Sequence, residues 1–298
     1  MSKKGVDING WLVIDKPKGM GSTDVVSVTR RLFNAKKNGH TGTLDPFATG
    51  VLPIAFGEAT KLVPFVTDGD KEYEFLLQFG YSSTTGDVDG EIVKQGEREI
   101  AKQEILEVLP KFVGKIKQTP SKYSAIKING ERAYDLARKG LNVEMPEREV
   151  EIFALELLEY LPDNQTRFRV CCSKGTYVRS LGEDLAEALG SFGYLKELRR
   201  TRSGVFSLKG AILLENLKKM EYGAGLLKNL LPISTCLRDI AVIAVSEADA
   251  AKLKLGQGLS PRAYEACLGT AVAVLDEELV AIVDVGERKI APLRVFNL

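Results

Sequence analysis

Apolar positions along the chain fall mostly into short runs broken by glycine and proline. Trp11 to Ile14 is such a run, ending in a turn with Pro17, Gly19 and Gly21, and it predicts a short strand. Val25, Val26, Val28 and Leu32 follow at helical spacing, with Ser22 or Thr23 placed to cap that helix. A glycine-rich loop comes next. Glu58 to Val66 reads as helix and Lys71 to Gly80 as strand. Ile100, Ile105, Leu106, Leu109 and Val113 predict a helix over Ile100 to Val113. "FRVCCSKGTYVRSL" reads as a strand, a turn at Lys174-Gly175, and then Tyr177 leading into a helix from Ser180 to Leu189. After Pro232, Val242 to Val245, Ala271 to Leu275, Val280 to Val283 and Leu293 to Phe296 read as strands between glycine turns.

That order predicts an α+β domain followed by a small β-rich one. The 298 residues suit a large and a small domain, and 44% hydrophobic with 27% charged residues is ordinary for a soluble chain. No run of about 18 apolar residues is present, so no membrane span is expected. The first residues lack the apolar core of a signal peptide. Cys171, Cys172, Cys236 and Cys267 show no disulfide-framework spacing, which predicts a cytoplasmic protein with reduced thiols. Adjacent cysteines and a single histidine do not make a metal site.

Net charge is only +1, so distribution carries the information. Arg30, Arg31, Lys36 and Lys37 form one basic run. Lys111, Lys115, Lys117, Lys122 and Lys127 form a second, and Arg199, Arg200 and Arg202 a third. Asp239 to Glu287 instead holds nine acidic residues against Lys252, Lys254 and Arg262. Separate basic patches on a near-neutral chain suit a polyanion bound on one face, although solvated surface charge gives the same pattern.

Three segments hold unusual chemistry. In "NGHTGTLDPFATG", Asp45 is the only fully charged residue between Gly39 and Gly57, set among Leu44, Pro46, Phe47, Val51, Leu52 and Ile54. A carboxylate there is costly unless something pairs with it. The second segment holds Tyr73 and, after a turn, Asp87 in "TTGDVDG". In the third, "CSKGTYVRS", Tyr177 and Arg179 stand two apart and share a face if the segment is extended. Singly, an aspartate beside glycines is as often a turn or capping residue, a strand tyrosine is more often packed in the core, and an arginine at a helix start is usually solvated.

Taken together, the motifs closely resemble the bacterial tRNA pseudouridine(55) synthase family of the TruB type. The resemblance runs through "GWLVIDKPKGMGSTDVV", "GHTGTLDPFATGVLP", "KEYEFLLQFG", "TTGDVDG", "QTPSKYSAIKINGERAYDLARKG", "CSKGTYVRSLGEDLAEALG", "LRRTRSG" and "PLRVFNL". Ser121 stands where the family usually has a second proline, and Gly21-Ser22 where it has threonine-serine.

The resemblance implies a pseudouridine synthase catalytic fold over 1–237, with a mixed, largely antiparallel sheet flanked by helices. It implies an RNA-clamping insertion at about 122–148 and a PUA-like domain over 238–298. It implies a reaction at uridine 55 in the T-arm of tRNA: the base is flipped out, detached, turned and rejoined through carbon 5, without metal or cofactor. Asp45 matches the nucleophile and Tyr73 the stacking tyrosine. Arg179 would pair with Asp45 and hold it ionised. Tyr177 would pack near the base, with Asp87 orienting Arg179 or Tyr177. Leu198 matches a pocket-lining position, and His40 a residue that displaces the target stack. Lys127, Arg132, Arg138 and Lys139 would be available to phosphates. A monomer that binds tRNA without an obligate protein partner is expected.

Three rival readings have sequence discriminators. A guide-RNA-dependent synthase shares the catalytic motifs but lacks the clamp insertion. A silent RNA-binding or folding factor needs no isolated carboxylate. Against a nucleoside hydrolase, retaining and inverting glycosidases generally use two carboxylates, whereas the motifs here offer one principal acid.

Overall fold

The computed structural model describes residues 5–124, 126–128, 130–141, 144–220, 223–261, 264 and 268–298. Among them, the larger body is built on a ten-stranded sheet. Its path runs Ile212–Leu213, Gly10–Lys16, Thr49–Phe56, Gly193–Ser203, Lys71–Phe79, Gln165–Cys172, Arg148–Leu161 and Gly114–Gln118. Asn38–His40 adds to Thr49–Phe56, and Phe206–Ser207 to Gly193–Ser203. Only the Gly10–Lys16/Ile212–Leu213 and Thr49–Phe56/Gly193–Ser203 pairings of this sheet are parallel. The fold is α+β with a mixed, largely antiparallel sheet, as expected from the sequence.

Helices Ser22–Leu32 and Val178–Ala188 carry the site's supporting residues. Val178, Leu181 and Leu185 of the second helix join Phe75, Leu77, Phe168 and Val170 of the sheet in one core. Fully burying such side chains stabilises by about 1.5–3 kcal/mol each. Gly182 and Gly193 let helix and sheet approach, since an added Cβ would fall 2.4 Å from the Leu195 side chain or 2.8 Å from the Ala186 Cβ.

Several elements differ locally from the sequence reading. Gly21, not Ser22 or Thr23, is the N-cap of the first helix, and its N–H donates to the Asp24 carboxylate at 3.3 Å. Glu58 to Val66 divides into a 3₁₀ turn, Gly57–Leu62, and an α-helix, Val63–Asp68, whose second residue is Pro64. The helix expected over Ile100 to Val113 is α-helical only over Lys102–Val108 and tightens to 3₁₀ over Leu109–Phe112, where Pro110 cannot donate. Within the expected insertion, Lys127–Ile128 and Glu131–Arg132 pair as a small hairpin ahead of helix Ala133–Arg138.

The C-terminal strands Ala241–Ala244, Gly269–Leu275, Glu278–Val285 and Ile290–Val295 form a separate four-stranded sheet. This is the β-rich terminal region anticipated from the sequence. It shares a core with the larger body: Trp11, Val13 and Val51 pack in one cluster with Ile233, Val272, Ile282 and Phe296. The Trp11 indole N–H also donates to the Ile233 carbonyl at 3.0 Å. No described helix is long and apolar enough to cross a membrane.

Candidate active site

A cleft of about 720 Å³ opens over the middle of the ten-stranded sheet. Four of its residues come from two adjacent strands by simple alternation: Lys71 and Tyr73 on one, Leu198 and Arg200 on the other. Arg200 stands directly opposite Tyr73 in the register. The loop from Thr41 to Asp45 forms a second wall, and Tyr177, Val178 and Arg179 a third.

The Asp45 loop has no regular structure, yet its carbonyls are held from several sides. Ser22 Oγ donates to the Leu44 carbonyl at 2.9 Å and accepts from the Leu44 N–H at 2.8 Å. Lys16 Nζ and the Gly19 N–H both donate to the Pro46 carbonyl, at 3.2 and 2.7 Å. Arg200 donates to the Gly42 carbonyl at 3.1 Å, and Thr67 Oγ1 to that of Thr41 at 2.8 Å. Leu44, Phe47 and Ala48 bury in the core on either side of the aspartate. Gly50 ends the loop at φ +101°, with Arg200 backbone so close that a Cβ would fall 2.2 Å from its carbonyl oxygen.

Asp45 keeps 35% of its side chain exposed to the cleft, and its Oδ2 lies 3.1 Å from Arg179 Nε. Arg179 is almost wholly buried. Its Nη1 lies 3.2 Å from Asp87 Oδ2 and donates to the Thr85 carbonyl at 2.9 Å; Nη2 donates to the Tyr123 carbonyl at 3.0 Å. Asp87 is fixed in turn by the Thr85 hydroxyl at 2.6 Å and the Asp89 N–H at 3.0 Å. The guanidinium is therefore cast into one orientation by the "TTGDVDG" turn. Burial pushes the Asp45 carboxyl above the ordinary carboxylate range, Arg179 pulls it down, and Asp87 and Asp89 add to the rise. Arg179 thus opposes protonation without cancelling the effect of burial.

Tyr73 lines the cleft, and burial raises its hydroxyl pKa while Arg200 opposes that shift, so the phenol is neutral at ordinary pH. Tyr177 also lines it. It is the extended N-cap of helix Val178–Ala188, and Arg179 already lies in the first helical turn. The shared face expected for an extended segment therefore does not exist; both reach the cleft because the chain bends between them. Gln118 fixes the bend, accepting from the Tyr177 N–H at 2.7 Å and donating to its carbonyl at 2.9 Å. Leu198 is buried in the cleft wall. His40 stands beside the cleft rather than in its lining, with Nδ1 accepting from the Gly42 N–H at 3.2 Å. Burial lowers its pKa, and Arg200 adds to that effect.

Residues 30–178 match the N-terminal domain of the TruB family of pseudouridylate synthases, and residues 179–238 match the C-terminal domain of tRNA pseudouridylate synthase B. A relative from Bradyrhizobium diazoefficiens, named tRNA pseudouridine synthase B, is 47% identical over 98% of this chain and 87% of its own. The chain belongs to the TruB family.

A second relative of the same name, from Caulobacter vibrioides, is 45% identical over 99% of this chain and 98% of its own. Among solved structures, a chain from the crystal structure of a Cbf5-Nop10-Gar1 complex superposes with TM-score 0.74 at 26% identity. That match covers 97% of this chain and 84% of the other. The sequence break between the two family domains falls at the start of helix Val178–Ala188, inside a continuous core, so it divides motifs rather than folded bodies.

The charge runs resolve unevenly. Arg200 is buried and donates to the Val51 and Gly42 carbonyls, and Arg199 pairs with Asp15 at 2.7 Å, so the third run is not an open basic surface. In the insertion, Lys127 is exposed, Arg132 donates to the Tyr134 hydroxyl at 2.9 Å, and Lys139 pairs with Glu131 at 2.8 Å. The Arg138 side chain lies outside the described residues.

Sequence reasoning missed Lys16, Ser22, Gln118 and Arg200. Lys16 is fully buried and donates to the carbonyls of Pro17, Met20 and Pro46. Burial lowers its pKa to about 8, with Asp45 as the main opposing influence. Its one sequence signal was a lysine closing an apolar strand. Among the described residues, no group of three or more histidine, cysteine, aspartate or glutamate side chains is placed to hold a metal.

Proposed function

We propose that the chain isomerises uridine 55 in the T-arm of tRNA to pseudouridine, with Asp45 as nucleophile. The observation that carries this reading is a carboxylate at the edge of a nucleotide-sized cleft, with one oxygen fixed by a buried arginine. The tRNA substrate is inferred from full-length relatives named tRNA pseudouridine synthase B.

The uridine must leave its stack before reaching the carboxylate, at a cost of a few kcal/mol. Stacking on Tyr73 would return about 1–3 kcal/mol, with Tyr177 and Leu198 closing the sides and His40 acting at the rim. In the reaction, the bond between C1′ and N1 breaks and one between C1′ and C5 forms. C5 loses a proton and N1 gains one, so substrate and product are isomers and no redox partner is needed. A covalent intermediate on Asp45 would divide this exchange into two easier steps. Arg179 keeps the carboxylate oriented, and Asp87 keeps Arg179 oriented.

The catalytic domain is assigned to 1–237, the clamp to about 122–148, and the PUA-like domain to 238–298. Lys127, Arg132, Arg138 and Lys139 are assigned to the RNA backbone. The enzyme is proposed to work in the cytoplasm as a monomer, without an obligate protein partner. Incubating it with an unmodified tRNA transcript and mapping pseudouridine by nucleotide tests the reading. Product at position 55, abolished in Asp45→Asn, supports it; product only when a guide RNA is added would favour the guided class.

A further inference from the structure

Arg148 opens strand Arg148–Leu161 and lines the same cleft. Its guanidinium carbon lies 5.7 Å from the centre of the Tyr177 ring. Its Nε is buried and has no hydrogen-bond partner in the structure. Gln118, which stands opposite Arg148 in the strand pair, holds the Tyr177 backbone through two hydrogen bonds. The guanidinium therefore rests against a ring that is itself positioned, while its donors have no acceptor among the described residues.

Every other described cation lining the cleft is committed. Lys71 donates to the carbonyls of Val66, Thr67 and Gly69. Lys174 pairs with Asp68 at 2.9 Å. Arg179 serves two carboxylates and two carbonyls, and Arg200 two carbonyls. The glutamates flanking Arg148 are engaged elsewhere: Glu147 with Lys117 at 3.4 Å and Glu149 with Lys115 at 3.3 Å. Among the described residues, Arg148 is left as the cleft cation without a carboxylate or carbonyl acceptor.

We propose that Arg148 binds a backbone phosphate flanking the flipped nucleotide. The inference rests on the reading that a nucleotide enters this cleft. A base turned out of its stack remains tied to two phosphodiesters, so its entry brings an anion to the cleft mouth. A guanidinium offers two parallel donors to phosphate oxygens. Resting on Tyr177, it loses little freedom when the phosphate arrives. The contact would set the depth and direction of the nucleotide without reading its base.

The test measures binding in the Asp45→Asn background, so turnover does not interfere. The probe is a synthetic T-arm stem-loop in three forms: charged, with a neutral methylphosphonate 5′ of the target uridine, or with one 3′ of it. The sugars at both linkages are 2′-deoxy throughout, which keeps them intact. One neutral linkage should weaken binding about tenfold when Arg148 is present, the value of one charge-assisted hydrogen bond. The same linkage should cost Arg148→Gln less than about twofold, because the phosphate is already without its partner.

Arg148→Gln should also lower the slope of log affinity against log salt by roughly 0.7–0.9. Arg148→Lys should restore that slope and part of the affinity. Equal penalties in both proteins at both linkages would overturn the proposal. So would an unchanged salt slope in Arg148→Gln together with a lower single-turnover rate on saturating all-ribose stem-loop when Asp45 is intact, which would make Arg148 only a prop for Tyr177. Conversion of an all-ribose stem-loop by the wild type, run in parallel, tests the T-arm reading separately. Affinity is read whether or not the base is converted.

Discussion

Arg179 meets Asp45 through a single oxygen: Oδ2 lies 3.1 Å from Nε, and Oδ1 accepts nothing from any described residue. The same guanidinium lies 3.2 Å from Asp87, whose carboxylate is only 4% exposed. Two carboxylates thus share one arginine in different surroundings. Asp87, surrounded by donors, can only orient. Asp45, anchored on one side and open to the cleft on the other, has an oxygen left for chemistry.

Asp45→Asn keeps the side-chain shape and removes the anion, so pseudouridine formation should fall to background while RNA binding persists. Stability should move the other way. The folded Asp45 pKa is raised, so between the unfolded and folded values the native state binds more protons than the unfolded chain. Ionising Asp45 then lowers stability as pH rises through that interval, and the cost is absent below the unfolded value. Asp45→Asn should therefore gain thermal stability relative to wild type as pH rises through the carboxylate range. Melting curves from acid to neutral pH would measure this. A variant that loses stability with rising pH relative to wild type would contradict the assigned shift.

Arg179→Lys should not rescue function, because a lysine cannot span Asp45, Asp87 and two carbonyls at once. Arg179→Met should cost about 3–5 kcal/mol of stability, since Asp87 would stay buried without its cation. Adding Asp87→Asn to Arg179→Met should recover part of that loss without recovering turnover. Urea unfolding of the single and double variants gives the comparison.

Lys16 predicts an alkaline limit. Its pKa of about 8 means that it loses its charge, and one donor to the carbonyl ring under Pro46, as pH rises through that value. Wild-type activity should decline there as the Asp45 loop loosens. Lys16→Met should be less active throughout and show no such decline. A wild-type rate that stays level well above pH 8 would separate Lys16 from the loop's working geometry.

The clamp should act on affinity rather than chemistry. Lys127 is exposed and Arg132 lies on the neighbouring hairpin strand. Changing both to Ala should reduce the salt slope by roughly 0.7–0.9 for each phosphate left without its cation. The single-turnover rate at saturating RNA should remain close to wild type, because Asp45, Tyr73 and Arg179 are untouched. An unchanged slope with a depressed rate would mean that the hairpin shapes the cleft.

Asp45, Tyr73, Arg179 and Leu198 stood out in the sequence because they lie in compact motifs or match a family pattern. Lys16, Ser22, Gln118 and Arg200 did not, and the reason is common to all four. Each bonds at least one backbone group of a distant segment, and a backbone partner leaves no mark in side-chain identity. Arg200 was concealed further by its neighbours. Within "LRRTRS" it resembles surface charge, although a central strand turns alternate residues toward the cleft and buries it. The same charge hid the strand Gly193–Ser203 from a reading based on apolar runs. Apolar spacing alone starts the helix at Ser180 and leaves Tyr177 and Arg179 extended, whereas the helix begins at Val178 and separates their faces.

Tyr73 separates two roles that its position combines. It lines the cleft opposite Arg200, and its hydroxyl is held neutral by burial. Tyr73→Phe retains the ring face and removes the hydroxyl, whereas Tyr73→Leu removes both. If stacking recovers the cost of flipping, Phe should bind RNA within about twofold of wild type, and Leu should lose about 1–3 kcal/mol of affinity. If the phenol also moves the proton that leaves C5 or reaches N1, Phe should bind normally and still fail to complete single turnovers. Rapid-quench assays with excess enzyme distinguish the cases, because they read chemistry after binding is saturated. Full activity in Tyr73→Leu would remove the tyrosine from both roles and leave Tyr177 as the aromatic surface against the base.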